Sequence, residues 1–406
     1  MKVKILMNIN PFFTASASAN RWLTLIEGLN DLGVSLQLLI IGNFQSKSEQ
    51  EKFQTVSNIN GIEIKYLTSK IVVGIWQRRF YKYIGRHIQA RRINAKIKKE
   101  ILNFDGILWP ENDLKIWRII SAVSNKSCIV IGEMSEFLDI HHFNKGNALQ
   151  KRAGDVKQAF FENSYINKLD GLVLMTKTLM THYSAFSRHP QLLHLPMTVD
   201  LERFHKQIAQ PLEFKKPYIA FVGVMNDAKD GVNILIEAFY KISKDFSDLN
   251  LYLVGGKNHD TQSHLQRIKD LDLEGRIKWV GEYPRDTIPS IICNAKLLVL
   301  PRPDSKQAQG GFPTKLGEYL ATGVPVCATT VGELPDYLID GKSVFFAKPG
   351  SIYSFTDAIN TALKDLDKAA QVGEQGKIVA ESFFNKNIQS KTLYNFLTKL
   401  QNENKK

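Results

Sequence analysis

Short apolar runs alternate with amphipathic stretches through the first half of the chain. The runs typical of buried strands are 3–7, 35–41, 62–67, 106–109, 128–131 and 171–175, and a helical stretch covers about 20–32. Strands that are apolar on both sides and separated by helices are typical of a parallel sheet with helices on both faces. The first half is therefore predicted to be an α/β domain, residues 1–200.

A second alternating series follows a polar hinge that ends at about residue 217. Its predicted strands are 218–223, 249–254, 277–280 and 297–300, with helices at 232–245 and 264–271. This pattern predicts a second α/β domain over 217–376. A long amphipathic stretch, about 377–400, predicts one final helix within the segment 377–406, whose last residues fray.

Length and composition fit a soluble two-domain protein. A chain of 406 residues is too long for one core, and its 44% apolar and 23% charged residues are ordinary values. No apolar run is long enough to span a bilayer, and the basic start is interpreted as a strand rather than a signal peptide. Cys128, Cys293 and Cys327 lie in apolar runs, which favours buried thiols in a cytoplasmic protein.

The formal net charge of +13 indicates an anionic partner. Much of it falls in residues 76–101, where apolar residues recur at helical spacing and the basic residues have no acid between them. The basic residues are Arg78, Arg79, Lys82, Arg86, Arg91, Arg92, Lys96, Lys98 and Lys99. This face is either solvated or lies on anionic lipid, and a nucleic-acid partner is not expected because no recognition motif accompanies the charge.

The segment 310–326 carries the clearest candidate chemistry. Gly310 and Gly311 free the backbone, Pro313 suits the first helical position, and Gly323 suits the residue after the helix. A helix start of this kind favours a phosphate or diphosphate. Glu318, about one turn inside, could accept hydrogen bonds from a vicinal diol.

This segment resembles the donor-binding signature of retaining glycosyltransferase family 4. A run of the type V-G-E-x-P follows at Val331–Pro335, and the similarity is good over roughly 218–350. The resemblance implies a GT-B fold: two Rossmann-like domains facing across a cleft, with the C-terminal helix crossing back to the first. It also implies a hexosyltransferase that uses a nucleotide diphosphate-sugar, retains anomeric configuration and needs no metal or cofactor. One departure is Gly310, where the family often has a glutamate.

Three side chains are predicted to face the donor phosphates. Lys229 resembles the lysine of the family's K-G-V-x-x-L-I-E-A-F element, although Asp230 is inserted before the glycine. Val224 occupies the place of a common arginine, and Arg302 is the expected substitute. Lys315 is a further candidate, with an exposed helix face as the alternative for its side chain.

Other donor contacts are expected from loops that follow strands. Gly310, Gly311 and Phe312 are expected to offer backbone N–H groups, with Thr314 beside them at the helix start, and Gly223 ends the strand before Lys229. The alternative for the glycines is a tight turn alone. Tyr283 or Arg285 could stack the nucleobase, and a surface turn is the alternative.

The first domain is expected to bind the acceptor. Glu133 and Glu136 follow the strand 128–131, so they are candidates for a general base or for contacts to sugar hydroxyls; the alternative is a structural role. His141 and His142 do not predict a metal site, because adjacent histidines cannot easily converge on one ion. The loop 10–20 resembles the family's glycine-rich loop.

The predicted activity is sugar transfer to a hydroxyl acceptor, a glycan or lipid-linked saccharide of cell-surface polysaccharide synthesis. The predicted location is cytoplasmic, with the inner membrane face as the alternative if 76–101 binds lipid. Two rival functions stay open. One is a nucleotide-sugar epimerase of the same fold, and the other is a non-catalytic protein that binds sugar nucleotides, which the residues Gly310 and Val224 favour.

Overall fold

The chain folds into two compact units, residues 1–195 with 390–406 and residues 196–389. The structure is a computed structural model. It describes residues 1–14, 16–42, 44, 47, 50–51, 57–68, 86–102, 104–112, 116–117, 120, 128–137, 148–188, 190–205, 211, 213–214 and 217–404. His141 and His142 lie outside these ranges, as do residues 76–85 of the predicted basic helix.

Unit 1 is built on a sheet whose strands run in the order β3-β4-β2-β1-β5-β6-β7-β8 across its described residues. All neighbours are parallel except β3 and β4. The strands are β1 Lys2–Met7, β2 Ser35–Ile40, β3 Asn58–Ile59, β4 Ile62–Tyr66, β5 Ile107–Pro110, β6 Ile129–Met134, β7 Gly171–Leu174 and β8 Gln191–His194. The helices are α1 Ala17–Asp31, α2 Arg86–Ile101, α3 Ala148–Phe160 and α4 Lys177–Ser184.

The sheet of unit 1 is buried on both faces. Ile5 and Trp109 belong to a cluster on one face, while Leu6 and Leu108 belong to a cluster on the other. This separation follows from the alternation of side chains along a strand. Residues 390–406 complete the first cluster, to which Leu397 contributes a fully buried side chain.

Unit 2 is built on a parallel sheet with the strand order β11-β10-β9-β12-β13-β14. The strands are β9 Tyr218–Val222, β10 Asn250–Val254, β11 Ile277–Gly281, β12 Leu297–Leu300, β13 Val326–Thr329 and β14 Phe345–Ala347. The helices are α5 Glu202–His205, α6 Asp227–Asp230, α7 Val232–Ile242, α8 Thr261–Asp270, α9 Ile288–Ile292, α10 Lys306–Gly310, α11 Thr314–Ala321, α12 Leu334–Tyr337, α13 Ile352–Lys364 and α14 Leu366–Val379. The last helix, α15 Lys386–Asn404, begins in unit 2 and belongs to unit 1 from Ser390 onwards.

The strand order of unit 2 reverses direction at β9. From β9 the chain moves outward to β10 and β11, and it then returns to the other side of β9 to form β12. In open parallel sheets, ligands bind beyond the carboxyl ends of the strands at such a reversal. The loops that follow β9 and β12 therefore enclose the position where a ligand is expected.

The predicted α/β fold with two Rossmann-like domains is confirmed, but the prediction of a single helix over 377–400 is wrong. Helix α14 ends at Val379, and one π-helical turn, Ala380–Phe384, follows it. Asn385 is extended (φ −58°, ψ 125°), and its side chain accepts a hydrogen bond from the backbone of Asn387 at 2.9 Å. An asparagine that bonds its own backbone competes with helix continuation, so α15 starts anew at Lys386.

Candidate functional site

The loops after β9 and β12 meet at Gly231. This glycine has φ +67°, and a Cβ atom added to it would lie 2.1 Å from the carbonyl oxygen of Pro301. Only glycine adopts this conformation at low cost and also permits such close backbone contact. The sequence K-D-G-V therefore brings α6 against the end of β12.

The start of α11 differs from its prediction by one residue. Pro313 is the N-cap, with φ −70° and ψ 103°, and Thr314 is the first helical residue. No side chain caps this end. Helix starts attract anions through first-turn N–H groups and the macrodipole. At the other end Gly323 has φ +73°, as expected for the residue that terminates a helix.

Lys315 extends from the first turn of α11 to the end of β9. Its Nζ donates to Asp230 Oδ1 at 2.7 Å and lies 4.5 Å from the centre of the Phe221 ring. A Cβ atom at Gly223 would lie only 2.2 Å from the same Nζ, so the glycine leaves room for the ammonium group. Burial lowers the pKa of Lys315; the ion pair with Asp230 opposes this effect, and the nearby charges of Arg302 and Lys229 add to it.

Arg302 lies beside the α6 loop and is 4% exposed. Its Nε donates to the backbone carbonyl of Lys229 at 3.4 Å, and Thr329 Oγ1 donates to the carbonyl of Arg302 at 2.6 Å. The side chain of Lys229 is exposed. The structure thus brings together the three predicted cations, Lys229, Arg302 and Lys315, which we call the cationic cluster.

Glu318 is paired with a residue that the sequence analysis did not predict. Arg203, in α5, donates through Nη1 to Glu318 Oε1 at 2.5 Å and through Nη2 to the carbonyl of Arg285 at 2.8 Å. Both charged side chains are largely buried, at 11% and 16% exposure. Arg203 therefore fixes one carboxylate oxygen of Glu318 and connects α11 with the loop after β11.

The glycine-rich loop contains a short helix that was not predicted, and this corrects one expectation about its N–H groups. Gly310 is the last residue of α10, and the N–H of Gly311 donates to the carbonyl of Gln307 at 2.9 Å. That N–H is therefore already engaged within the loop. The side chain of Phe312 is buried, with its ring 5.1 Å from that of Phe384.

Tyr283 lies after β11, the edge strand, rather than beside the cationic cluster. Its hydroxyl donates to Glu213, and its ring lies 5.6 Å from that of Phe214. Burial raises the pKa of Tyr283 to about 12, and the hydrogen bond to Glu213 contributes. Stacking of a nucleobase on this ring stays a prediction.

Glu133 and Glu136, the two candidates in the first domain, differ in burial. Strand β6 continues to Met134, so Glu133 is a strand residue and not the loop residue expected. It is 4% exposed and accepts from Arg21 Nε at 2.8 Å. Arg21 Nη2 also donates to the carbonyl of Leu195 at 3.0 Å. Glu136 is half-buried beyond the strand.

A cavity of about 270 Å³ in unit 2 is lined by residues 200–202, 381 and 385–387. Across the described ranges, no group of three His, Cys, Asp or Glu residues is arranged to hold a metal ion. In the same ranges, no helix combines the length and apolar character needed to cross a membrane.

The fold of two Rossmann-like sheets is similar to that of several solved structures. Sucrose-phosphate synthase from Thermosynechococcus elongatus is similar over 98% of this chain and 99% of its own, with a TM-score of 0.77 and 14% identity. HepE from Anabaena, in complex with UDP and glucose, is similar over 98% and 100% of the two chains, with a TM-score of 0.70 and 17% identity. At these sequence identities, the comparison shows similarity of fold only.

The family-model match falls within unit 2. Residues 216–365 match the family model described as glycosyl transferases group 1. The D-inositol 3-phosphate glycosyltransferase of Corynebacterium glutamicum (strain R) is 25% identical over 240 residues, which cover 55% of this chain and 56% of that relative. The chain thus spans about half the length of this curated relative.

Proposed function

We propose that this protein is a glycosyltransferase that moves a hexose from a nucleotide diphosphate-sugar to a hydroxyl group of an acceptor. The observation that carries the proposal is the cationic cluster, which lies at the strand reversal of unit 2 and within the region similar to glycosyl transferases group 1. The solved HepE complexes contain UDP and UDP-glucose, which supports a nucleotide-sugar donor.

The cluster suits the departure of a nucleoside diphosphate. As the bond to the sugar breaks, negative charge grows on the outer phosphate, and fixed cations beside it stabilise that charge more in the transition state than in the ground state. The first turn of α11 adds a positive dipole end. Glu318 Oε2 is the oxygen not engaged by Arg203, and we assign it to the ribose diol.

The finer parts of the proposal come from the family resemblance. They are retention of anomeric configuration, independence from metal, and a glycan or lipid-linked acceptor used in cell-surface polysaccharide synthesis. The protein would act in the cytoplasm, with residues 76–101 placing it on the inner face of the membrane. Within this segment the exposed side chains of Arg92, Lys98 and Lys99 support contact with an anionic surface.

A thermal-shift panel of UDP-, GDP- and ADP-sugars tests donor binding. A ligand at a hundred times its Kd stabilises the folded form by about 2.7 kcal/mol. We expect one nucleotide to raise the melting temperature of the wild type and to lose this effect in Arg302→Met. Arg276→Met is the matched control, because Arg276 bonds the carbonyl of Leu249 at the opposite end of the sheet.

Product analysis then separates the rival functions. Glycosylated acceptor with unchanged anomeric configuration, formed equally well in the presence of EDTA, supports the full proposal. Epimerised free donor in the absence of acceptor would identify an epimerase. Donor binding with neither transfer nor slow hydrolysis would identify a non-catalytic binding protein. Flotation with anionic vesicles, comparing the wild type with Arg78, Arg79, Arg91 and Arg92 changed to Glu, tests the membrane contact.

A further inference from the structure

Asp230 places a buried carboxylate beside the cationic cluster. It is the last residue of α6, it is 4% exposed, and it accepts from Lys315 Nζ at 2.7 Å. A carboxylate at this position opposes the binding of phosphate, whose charge has the same sign. Its location in a site built from cations therefore needs a physical explanation.

The ion pair with Lys315 explains in part why Asp230 lies in this site. A buried ammonium group without a counter-ion is costly, and Asp230 supplies one for Lys315 when no ligand is bound. A bound diphosphate would supply counter-charge of its own, and Asp230 would then remain as an excess negative charge. Because the backbone of Asp230 is fixed in the short helix between Asn226 and Gly231, its carboxylate stays next to the ligand.

The charged side chains around this site carry a net positive charge. Glu318 and Arg203 neutralise each other, and Asp230 cancels one charge of the cationic cluster, so these six side chains leave an excess of two positive charges. A nucleotide diphosphate-sugar carries about one negative charge on each phosphate. The nucleoside diphosphate product carries additional charge, because its terminal phosphate has a second ionisation near pH 6.

We propose that Asp230 is a specificity-determining residue that weakens binding of the nucleoside diphosphate product relative to the sugar-linked donor. The carboxylate lowers the positive charge of the site to match the two charges of the donor, so the third charge of the product is attracted less strongly than it would be without Asp230. Release of product and exchange for new donor are thereby favoured. This inference rests on the proposed function.

The test compares two ligands that differ in charge and little else. Isothermal titration calorimetry at pH 7.5 measures the Kd of UDP, GDP and ADP and of their β-methyl esters, which keep both phosphates but lack the third charge. In Asp230→Asn we expect affinity for the diphosphate to rise about tenfold more than affinity for its ester, because the carboxylate no longer repels the extra charge.

Two variants keep the test valid if Asp230→Asn is poorly folded. Lys315→Met removes a cation and is expected to shift the preference about tenfold in the opposite direction, towards the ester. The double variant Asp230→Asn/Lys315→Met restores the wild-type net charge, so its preference should return to that of the wild type. Asp248→Asn, the same charge change at the amino end of β10, should leave the preference unchanged.

The outcomes separate this inference from the proposed function. Wild-type protein that binds none of the three nucleotides contradicts the function itself. Wild-type binding, with the same ratio of diphosphate to ester affinity in all folded variants, overturns the role of Asp230 alone. A double variant that fails to restore the ratio overturns it as well, because a purely structural pair predicts no such recovery.

Discussion

Arg203 and Glu318 form an ion pair of 2.5 Å that joins α5 to α11. The contact uses one carboxylate oxygen of Glu318, and the second guanidinium nitrogen bonds the carbonyl of Arg285. A carboxylate fixed in this way has lost its rotational freedom before any ligand arrives. Preorganisation of this kind lowers the entropic cost of binding.

We expect Glu318→Ala to remove the preference of the protein for ribose hydroxyls. Each hydrogen bond from a hydroxyl to a carboxylate contributes about 1.5–3 kcal/mol, so affinity for the nucleoside diphosphate should fall at least tenfold. The 2′,3′-dideoxy analogue should bind both proteins equally weakly. Calorimetric titration measures both ligands, and Glu237→Ala, which removes a glutamate of similar exposure paired with Arg267, is the control. A discrimination between the two ligands that survives in Glu318→Ala contradicts the assignment.

Arg203→Met should weaken donor binding about tenfold although Arg203 is not assigned to the ligand. The reason is that the freed carboxylate must be ordered again at each binding event, at about 1 kcal/mol or more. Arg203→Lys keeps the charge and should recover part of the affinity. Arg267→Met breaks another Arg–Glu pair of 2.5 Å, between α8 and α7, and serves as the matched control. Equal donor Kd values for Arg203→Met and the wild type would show that orientation of Glu318 is not needed.

The lowered pKa of Lys315 predicts an alkaline dependence of stability. Between that lowered value and the ordinary lysine pKa of 10.5, the unfolded chain binds a proton that the folded chain has released. Stability therefore rises with pH in this window, relative to a variant without the lysine. Urea midpoints of the wild type and Lys315→Met, measured from pH 8 to pH 10.5, test this. A difference between the two that stays constant across the window contradicts the shift.

The buried pair of Arg21 and Glu133 should stabilise unit 1. Removing one partner leaves the other charge buried and uncompensated, which costs about 3–5 kcal/mol. We expect Glu133→Gln to lower the unfolding midpoint strongly, and Arg21→Met/Glu133→Leu to recover much of the loss. Glu51→Gln breaks an exposed pair with Lys47 and should change stability by less than about 1 kcal/mol. A folded Glu133→Gln of unchanged stability but lost activity would instead favour the general-base hypothesis.

Gly231 and Gly341 form a natural comparison, because both have similar positive φ values, +67° and +65°. A Cβ atom at Gly231 would meet the carbonyl oxygen of Pro301 at 2.1 Å, whereas a Cβ at Gly341 has no neighbour within 4 Å. We expect Gly341→Ala to cost about 1–2 kcal/mol from backbone strain alone, and Gly231→Ala to cost clearly more. Chemical denaturation measures both. Equal losses would show that the close backbone contact is relaxed at little cost.

Local patterns in the sequence predict secondary structure and the type of sheet. Apolar runs and glycine positions were sufficient for the parallel sheets and the α11 helix, whereas the gathering of basic residues at the end of β9 was expected from the family resemblance. The pairing of side chains was not predictable in this way. Lys315 and Asp230 are separated by 85 positions, and Glu318 and Arg203 by 115, so no local pattern relates them.

Three elements of secondary structure were missed or wrongly bounded in the predictions from the sequence, each for a physical reason. Strand β14 has only three residues, too few to show an alternating pattern, and the final helix is interrupted by Asn385 although its apolar spacing continues. The strand β6 was expected to end at Ile131, with Glu133 in the loop that follows. Burial of Glu133 against Arg21 allows the strand to continue to Met134.

The reversal of strand order at β9 has a consequence for how such a scaffold diversifies. The segments after β9 and after β12 are far apart in the chain, yet both extend from the same end of a sheet whose core is built mainly from its strands and the helices that cover them. Mutations in either segment therefore change the charge and shape presented to a ligand while leaving the strands intact. Preference for a new sugar nucleotide can arise by substituting a few side chains in these two segments, with little loss of thermal stability.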